Sequence, residues 1–353
     1  MVTAPRLLVG NIGVSAVIAC LAPALGLGAQ APRPSGTLVA SNMNDNTVTV
    51  IDAATGRSVA TLPTGEGPHE VKVSHDGRWA AVSNYGVRGR PGSTISVIDV
   101  ERHAVSRTIG LHDYQRPHGL AFLPGDTVLA VTSETSKAVL LVDFRTGRVI
   151  AALPTNGRAT HMLALSADGR RMVTANIADG TITLLHPPAA DGGTIIRVAA
   201  QPEGITITPD GTMAWVGSNR DSVVLLVDTQ RGQAVDTLRG FGLPYRLAIT
   251  PDGRRAIVTD PAKAQVRVFD VDTRRQRFVV QVAADSLVAT AEVKGSPSPE
   301  GVVVSSDGRW AFVTLQGRNR VATIDLERGV IVGLAPTGTW SDGIGYSAIL
   351  SRP

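Results

Sequence analysis

A ten-residue frame that recurs seven times places the strongest constraint on the fold of this chain. Its first copy lies within Gly67 to Asn84, GPHEVKVSHDGRWAAVSN, where alternating apolar residues lead to an Asp-Gly turn and a second apolar run follows. The later copies are PHGLAFLPGD from Pro117, THMLALSADG from Thr160, PEGITITPDG from Pro202, PYRLAITPDG from Pro244, PEGVVVSSDG from Pro299 and SDGIGYSAIL from Ser341. Self-similarity at a period of about forty residues is typical of repeat architectures.

Each repeat reads as four short β-strands joined by tight polar turns. The third copy, for example, contains MLALS, MVTANI, TITLL and TIIRVA, in which apolar residues alternate at a period of two. From Thr37 onward no segment keeps an apolar period of 3.6 residues, so no substantial helix is expected there. Four strands in about forty residues predict one blade of a β-propeller.

The two ends of the chain predict how the ring closes. Thr37 to Leu62 supplies three strands with no first strand before them, and Gly343 to Leu350 supplies a first strand with nothing after it. We therefore expect an all-β, seven-bladed propeller of four-stranded antiparallel blades over residues 37–353. In the last blade, the C-terminal strand should pair with the three N-terminal strands, which removes the free edges of the sheets.

These blades resemble the YVTN β-propeller repeat, and the chain from Thr37 to Leu350 is similar to the YncE-like family. The residues that carry the resemblance are VSHDGRWAAVSN, ITPDGTMAWVGSN, VSSDGRWAFVT and the VIDAATG and VIDVERH turns. The resemblance implies the propeller fold and an extracytoplasmic location, and a bacterial relative is associated with single-stranded DNA binding. It selects no activity, because this fold carries unrelated functions.

Residues 1–30 read as a signal peptide, a lipoprotein signal or a membrane anchor. Met1 to Arg6 is short and positive, Leu7 to Ala19 is apolar, and VIAC resembles a lipoprotein signal in which Cys20 is acylated. Alternatively, Ala29-Gln30-Ala31 has the shape of an ordinary cleavage site. The uncharged run from Leu7 to Pro32 is also long enough to span a bilayer, which takes about 20 residues. All three alternatives export the rest of the chain to a periplasmic or other extracytoplasmic location.

Residues 31–36, APRPSG, read as a linker that tethers the propeller to the membrane if the N-terminal segment is acylated or retained.

Composition limits the classes of partner. The net charge is 34 − 30 = +4 and the arginines are scattered, which is a weak argument for nucleic acid. Aromatic residues make up 4% of the chain, so stacking platforms for single strands are sparse. With Cys20 as the one cysteine, no internal disulfide is possible.

Propeller geometry predicts where the polar residues of the repeat gather. In a blade, the first strand lies nearest the central channel and begins on the face that carries the inter-blade loops, which we name the top face. One residue near the start of each first strand should ring the top mouth of the channel: His69, His118, His161, Glu203, Tyr245, Glu300 and Asp342. The residues that end the second strands should face the same side: Asn42, Asn84, Glu134, Asn176, Asn219, Asp260 and Gln316.

The extra loop length also falls on the top face. VRGRPG lengthens the connection between the second and third strands of the first repeat, and AADSLVATAEVKGSPS lengthens the segment from Asp270 to Glu300. Long loops on one face often mark the face that carries function. With the inter-blade segment LHDYQR at 111–116, these loops supply the top-face binding candidates Arg88, Arg90, His112, Tyr114 and Arg116.

Histidines in three consecutive blades suggest chemistry at the mouth. His69, His118 and His161 could bind zinc, copper, iron or a haem-like cofactor, since imidazole suits these metals. Alternatively, Pro-His-Gly belongs to the repeat and packs against the next blade. The mouth carboxylates could act as general acid or base or stay solvated. No Walker, dinucleotide or GxSxG pattern occurs, so no cofactor is expected unless a transition metal binds.

These features favour a binding or scaffolding module over an enzyme. We expect a propeller that holds a protein partner, for example as an accessory subunit of a membrane electron-transfer complex. The main alternative is an enzyme, either a lactonase-like hydrolase or a metal- or cofactor-dependent oxidoreductase, with a small-molecule ligand at the channel mouth. Single-stranded DNA binding is a further alternative, which the sparse aromatic residues disfavour.

Overall fold

The computed structural model describes residues 1–2, 32–282 and 296–351. The chain divides into two units, Met1–Arg33 and Pro34–Pro353, and the second contains the β-structure. The predicted lipidation residue Cys20 lies outside the described residues, as does most of the insertion that precedes Glu300. In the part of the chain that the structure describes, no helix has the length and apolar character needed to cross a bilayer.

Over its described residues, the second unit contains 28 β-strands. In chain order they are β1 (Thr37–Asn42), β2 (Thr47–Asp52), β3 (Arg57–Pro63), β4 (Pro68–Val73), β5 (Trp79–Val87), β6 (Arg90–Asp99), β7 (Ala104–Gly110), β8 (Pro117–Phe122), β9 (Val128–Ser133), β10 (Ala138–Asp143), β11 (Val149–Pro154), β12 (Thr160–Leu165), β13 (Met172–Asn176), β14 (Thr181–Leu185), β15 (Thr194–Arg197), β16 (Pro202–Ile207), β17 (Met213–Ser218), β18 (Val223–Asp228), β19 (Gln233–Leu238), β20 (Leu247–Ile249), β21 (Arg255–Asp260), β22 (Gln265–Asp270), β23 (Gln276–Gln281), β24 (Pro299–Val304), β25 (Trp310–Leu315), β26 (Arg320–Asp325), β27 (Val330–Pro336) and β28 (Ser341–Ser347). Two short 3₁₀ turns, Pro261–Lys263 and Gln316–Arg318, are the helical structure found within these residues.

These strands form seven four-stranded antiparallel sheets within the described range, and each sheet is one blade. Blades 1 to 6 use consecutive strands, beginning at β4, β8, β12, β16, β20 and β24. Blade 7 has the order β28-β1-β2-β3. The first strand of each blade contacts the first strand of the next, and β28 contacts β4, so the ring is closed. The predicted seven-bladed propeller is confirmed.

The closing strand pairs with the N-terminal strands as the sequence predicts. In the antiparallel register of β28 on β1, Leu38 lies opposite Tyr346 and Val39 opposite Gly345. The Thr37 hydroxyl adds a hydrogen bond of 2.8 Å to the Ile349 carbonyl oxygen. The two ends of the chain are therefore joined by main-chain hydrogen bonds, and β1 has a paired strand on both sides.

The repeated Ser/Thr-x-Asp-Gly sequence forms the turn between the first and second strands. In blade 1, the Ser74 hydroxyl donates to Asp76 Oδ1 at 2.6 Å and accepts from the Trp79 N–H at 3.0 Å. Gly77 follows with φ of +77°, a left-handed conformation that glycine adopts without a steric penalty. Short polar side chains that bond to nearby backbone are typical of such turns, so this local chemistry sets the strand boundaries.

The core lies between neighbouring blades and is mostly aliphatic. Between blades 1 and 2, for example, fully buried Ile95, Val97, Leu129 and Leu140 pack together. Burial of one such side chain contributes about 1.5–3 kcal/mol relative to exposure. Trp310, the first residue of β25, is also buried. These apolar clusters fix the angle between blades and so fix the geometry of the mouth.

First strands of neighbouring blades approach very closely next to the channel. A Cβ atom on Gly204, Gly301 or Gly343 would lie 2.1, 2.2 or 2.3 Å from a carbonyl oxygen of the next blade, so each position needs glycine. These glycines directly follow a mouth residue. At the same register, blade 1 carries Glu70 and blade 5 carries Arg246 in place of glycine. Two opposite charges are thus placed beside the channel.

Candidate functional site

Six of the seven predicted mouth residues lie where a first strand begins, and Tyr245 lies two residues before β20. Following the ring from blade 7 to blade 4, each of five residues touches the next. Asp342 Oδ2 contacts His69 Nδ1, the ring centroids of His69 and His118 are 4.2 Å apart, and those of His118 and His161 are 3.6 Å apart. His161 Nε2 is 2.7 Å from Glu203 Oε1. With three further residues introduced below, they form what we call the mouth cluster: Glu70, Glu134, Glu203, Asp342, His69, His118, His161 and Arg246.

His161 bridges two carboxylates. Its Nδ1 contacts Glu134 Oε1, while its Nε2 faces Glu203. Burial lowers the pKa of His161, but the charge of Glu203 and the hydrogen bonds to both carboxylates outweigh this and raise the pKa to about 9. Burial likewise raises the pKa of Glu203, yet His161 and Arg246 bring it to about 2. At neutral pH the three groups therefore form a cationic imidazolium between two carboxylates.

Arg246 crosses the channel. Its Nη1 donates to Glu203 Oε1 of blade 4 at 2.8 Å, while its Nε and Nη2 donate to Glu70 Oε1 of blade 1 at 3.0 and 2.7 Å. Blade 5, which carries Arg246, is not next to blade 1 in the ring, so this contact spans the axis. The guanidinium also lies over the ring of Tyr245, 4.3 Å from its centroid. Planar, always charged arginine suits such a buried contact with two carboxylates.

Sequence reasoning missed Arg246 and Glu70 because it ended one residue earlier in each repeat. A signal was present, since this register holds glycine in four blades and a charged residue in two. An isolated charge at a position that otherwise requires close packing indicates a partner nearby. The sequence alone did not show that the two charges meet each other.

His118 is the member of the cluster without a polar partner. It is fully buried, and within residues 32–282 and 296–351 neither ring nitrogen makes a hydrogen bond. Burial, together with the charges of His161 and His69, lowers the pKa of His118 well below its usual value. The ring is therefore neutral at pH 7 and carries a nitrogen lone pair that can bind a donor or a metal ion.

The donor atoms that could hold a metal ion differ from the predicted three-histidine set. His69, Glu70 and His118 offer ligand atoms that lie within 4.8 Å of one another. His161 has carboxylates at both ring nitrogens, so in this arrangement it has no free lone pair. Asp342 contacts His69. Burial lowers the pKa of His69, but the charge of Asp342 outweighs this effect, so the pKa is raised.

Glu300 and Tyr245 complete the predicted ring. The Ser298 hydroxyl donates to Glu300 Oε1 at 2.7 Å. Burial, followed by the negative charges of Asp342 and Glu203, raises the pKa of Glu300 to about 7. Burial also raises the pKa of Tyr245 well above its usual value. Glu300 is thus a carboxyl group that titrates near neutrality next to a charged cluster.

Tyr85 joins the cluster from the second strand of blade 1. Its hydroxyl donates to Glu134 Oε2 at 2.6 Å, and its ring meets the edges of His69 and His118 at centroid distances of 5.4 Å. The guanidinium of Arg116, a predicted top-face residue, lies 4.7 Å from the Tyr85 ring centroid. Sequence reasoning missed Tyr85. A signal was visible, since this aromatic residue directly follows Asn84, which was predicted to end the second strand.

Several of the residues that were predicted to end the second strands hold loops in place, although Asn84 lies within β5 and does not end it. Asn84 Oδ1 accepts from the Gly65 N–H at 3.1 Å, and Asn42 Oδ1 accepts from the Gly338 N–H at 2.9 Å. Both glycines belong to the preceding inter-blade segments, so these amides join one blade to the next. Glu134 differs from them because its carboxylate reaches the mouth cluster and contacts His161.

The predicted top-face candidates have separate local surroundings. Arg90, at the tip of the β5–β6 hairpin, pairs with Glu66 at 2.6 Å. Arg88 and His112 are exposed, while Tyr114 packs against the core between blades 1 and 2. An exposed arginine–glutamate ion pair of this kind contributes about 0–1 kcal/mol to stability. These side chains are therefore available at the surface but are not organised into one basic patch.

Trp340 is a top-face residue that the sequence reading missed. The residue before a first strand has a left-handed conformation in six blades, at Gly67, Arg116, Ala159, Gln201, Ser298 and Trp340. Trp340 has φ of +62°, and its side chain is 47% exposed. Its backbone N–H donates to Asn319 Oδ1 at 2.9 Å, and its backbone carbonyl oxygen accepts from the Met43 N–H at 3.1 Å. The backbone is thus fixed while the indole stands out from the surface.

Below the cluster, the channel contains a cavity of about 470 Å³. Its walls are formed mainly by aliphatic residues of the first strands, with Glu70 and Arg246 at the end nearest the top face. Lys72 reaches this water-accessible space but is surrounded by protein, which lowers the pKa of its amine. The Glu70–Arg246 contact therefore separates the top mouth from an apolar channel.

Comparison with known proteins supports the fold alone. No family model matches the chain, and neither does any curated protein. A chain of Kuenenia stuttgartiensis hydrazine synthase superposes with a TM-score of 0.67 at 18% identity, over 80% of this chain and 90% of that one. A functionally unknown protein from Desulfotomaculum acetoxidans gives a TM-score of 0.69 at 13% identity, over 89% and 100%. The YncE-like resemblance stays a prediction.

Proposed function

We propose that this protein is an extracytoplasmic binding propeller whose top face holds a partner protein, as an accessory subunit of a membrane assembly. The observation that carries the proposal is Trp340, a large aromatic side chain presented to solvent on that face. The rigid ring of blades supplies a fixed platform beneath it. The predicted N-terminal signal supplies the location and the tether.

The exposure of Trp340 argues against a role in packing. Its left-handed backbone belongs to the propeller repeat, since five other blades have the same conformation at this position. An indole that is 47% exposed also gains little from burial within the chain. Tryptophan is enriched among the residues that dominate protein–protein binding energy. Trp340 therefore has the properties of an interface anchor.

A second feature of the same face supports the proposal. Strands β5 and β6 have nine and ten residues, and their hairpin continues past Asn84 to pair Gly86 with Pro91 and Val87 with Arg90. This arm rises from blade 1, the neighbour of blade 7, which Trp340 precedes. An arm on the same face would add polar contacts to the apolar contact that Trp340 offers, and protein interfaces combine both kinds.

The membrane location rests on the sequence of residues 1–30. We infer that Cys20 is acylated after cleavage, which would leave the propeller on a short flexible linker. Mass spectrometry of the mature N-terminus tests this step. An acylated Cys20 is expected, whereas a mature chain that still begins at Met1, recovered from the cytoplasm, would contradict the proposed location.

Site-specific cross-linking tests the partner proposal. A photoreactive residue replaces Trp340 in one variant and Ile150 in the other, since Ile150 is 56% exposed on the outer strand of blade 2. We expect one identified extracytoplasmic protein to be captured from position 340 and not from 150. Trp340→Ala should also lose co-purification of that protein, and Ile150→Ala should keep it. Equal capture at both positions, or none at 340, would contradict the proposal.

An enzyme remains the second candidate because of Glu300. Its pKa of about 7 suits a general acid or base at neutral pH. The fold does occur in an enzyme, since one structural neighbour is a chain of hydrazine synthase, but at 18% identity this says nothing of activity here. Turnover of a lactone or redox substrate that is abolished by Glu300→Gln would favour the enzyme. Single-stranded DNA binding would instead show an affinity that falls steeply with salt.

A further inference from the structure

We propose that His69, Glu70 and His118 form a binding site for a divalent transition-metal ion of the zinc class at the mouth of the channel. The site is independent of the proposed partner surface. It differs from the three-histidine set that the sequence suggests, because Glu70 takes the place of His161. Two imidazoles and one carboxylate are a donor set that zinc uses, and they leave a fourth position open.

The donor atoms are close enough for one ion after a small movement. They lie within 4.8 Å of one another. Zinc–ligand bonds of about 2.1 Å in tetrahedral geometry separate neighbouring donors by roughly 3.4 Å, so the donor atoms need to close by up to about 1.4 Å. Small side-chain rotations supply such a shift. The backbone positions on β4 and β8 can therefore remain as they are.

His118 gives the independent sign that a ligand belongs here. It is fully buried, and within the described residues both of its ring nitrogens lack a hydrogen-bond partner. Buried polar groups almost always have a partner, because leaving one unsatisfied costs about 1–3 kcal/mol. His118 is held between the rings of His69 and His161 and cannot turn to solvent. A bound ion would supply the missing partner.

The charge around the site also favours a cation. The mouth holds five carboxyl groups: Glu70, Glu134, Glu203, Glu300 and Asp342. The basic side chains that contact them are fewer: Arg246, His69 and His161. A histidine that binds a metal ion is neutral, so acidic side chains around a bound ion would outnumber cationic ones, which favours a cation at this place.

The neighbours of the three ligands suit metal binding with one limitation. The Asp342 carboxylate contacts His69 Nδ1, and such a carboxylate–histidine contact orients the ring of a metal-binding histidine. Both Asp342 oxygens are buried without a well-formed hydrogen bond within the described chain. The limitation is Arg246, which donates to Glu70 Oε1, the oxygen that lies 3.9 Å from His69 Nδ1. The ion would therefore have to share the Glu70 carboxylate with Arg246.

Metal titration of the purified full-length chain tests the site. After removal of metal with a chelator, Zn²⁺ is titrated by calorimetry, and Co²⁺ is followed by its visible absorption. We expect one equivalent of each ion to bind, with a Co²⁺ spectrum typical of nitrogen and oxygen ligands and without a thiolate band from Cys20. Zn²⁺ should also raise the melting temperature of the propeller.

Matched variants locate the ion. His69→Gln and His118→Gln should each weaken Zn²⁺ binding at least tenfold and remove the rise in melting temperature. His75→Gln is the control, because His75 forms an exposed histidine–carboxylate contact with Asp126 at 2.6 Å outside the mouth cluster. This variant should bind like the wild type. Failure of the wild type to bind one equivalent, or a loss that is as large in His75→Gln, would overturn the proposal. The wild-type stoichiometry and spectrum decide even if a mouth variant does not fold.

Discussion

Ionisation of Glu300 opposes folding. Burial and the neighbouring carboxylates raise the pKa of this residue from 4.5 to about 7. Below about pH 4.5 the group is protonated in both the folded and the unfolded chain, so it does not affect stability. Between pH 4.5 and about 7 the unfolded chain releases the proton while the folded chain keeps it, so stability falls as the pH rises. Above about pH 7 the folded chain carries the full free-energy cost of an ionised, buried Glu300.

Glu300→Gln should therefore stabilise the protein at high pH. The glutamine keeps an oxygen that can accept the hydrogen bond from Ser298 and carries no charge. We expect a gain of at most about 3 kcal/mol in unfolding free energy at pH 8, and almost none at pH 4.5. Urea titrations of the metal-free protein at the two pH values measure this gain in unfolding free energy. Glu66→Gln, at an exposed pair, is the control with a change of about 0.5 kcal/mol. An equal effect of Glu300→Gln at both pH values would show that the carboxyl is not buried as described.

At the scale of elements, the innermost strands determine what can meet in the mouth. Neighbouring first strands approach within contact distance because glycine follows the mouth residue in four of the repeats. At Gly204, an added Cβ would lie 2.1 Å from the Tyr245 carbonyl oxygen. Backbone cannot move as a flexible side chain can. The glycine therefore sets the distance between blades 4 and 5, and with it the contact between Glu203 and Arg246.

Gly204→Ala should be strongly destabilising. We expect a loss of roughly 1–3 kcal/mol in unfolding free energy, the usual cost of forcing extra volume into a packed site. Gly110→Ala is a matched control, because Gly110 ends β7 with nothing near its added Cβ. That change should be neutral or stabilise slightly. Urea midpoints measure both variants, and equal midpoints would mean that the first strands are farther apart than the structure shows.

For the whole molecule, the sequence was sufficient to predict the architecture of seven closed blades. The turn residues repeat at one register, so a local pattern could be placed in space once closure by the C-terminal strand was inferred. Contacts across the channel could not be predicted in this way. Arg246 and Glu70 are 176 residues apart, and their contact depends on side-chain reach and on the angle between blades. The exposure of Trp340 likewise depends on a loop conformation that its sequence does not encode in a simple pattern.

The contact between Arg246 and Glu70 is the feature that links fold and site. It joins blades that are not neighbours, so it exists only if seven blades enclose a narrow channel. It also holds one proposed metal ligand and separates the mouth from the cavity below. Removing Arg246 leaves the buried Glu70 charge without this partner, which costs about 3–5 kcal/mol. Removing Glu70 costs less, because Arg246 still pairs with Glu203.

A double-mutant cycle on this pair tests the account most directly. Arg246→Met, Glu70→Gln and the double variant are unfolded with urea in metal-free buffer, after two-state behaviour has been checked with two probes. We predict a coupling energy of at least about 1.5 kcal/mol, because the two side chains share a buried contact. Single losses that add to within about 0.5 kcal/mol would show that the two residues do not meet, and would contradict both the mouth cluster and the ring geometry that creates it.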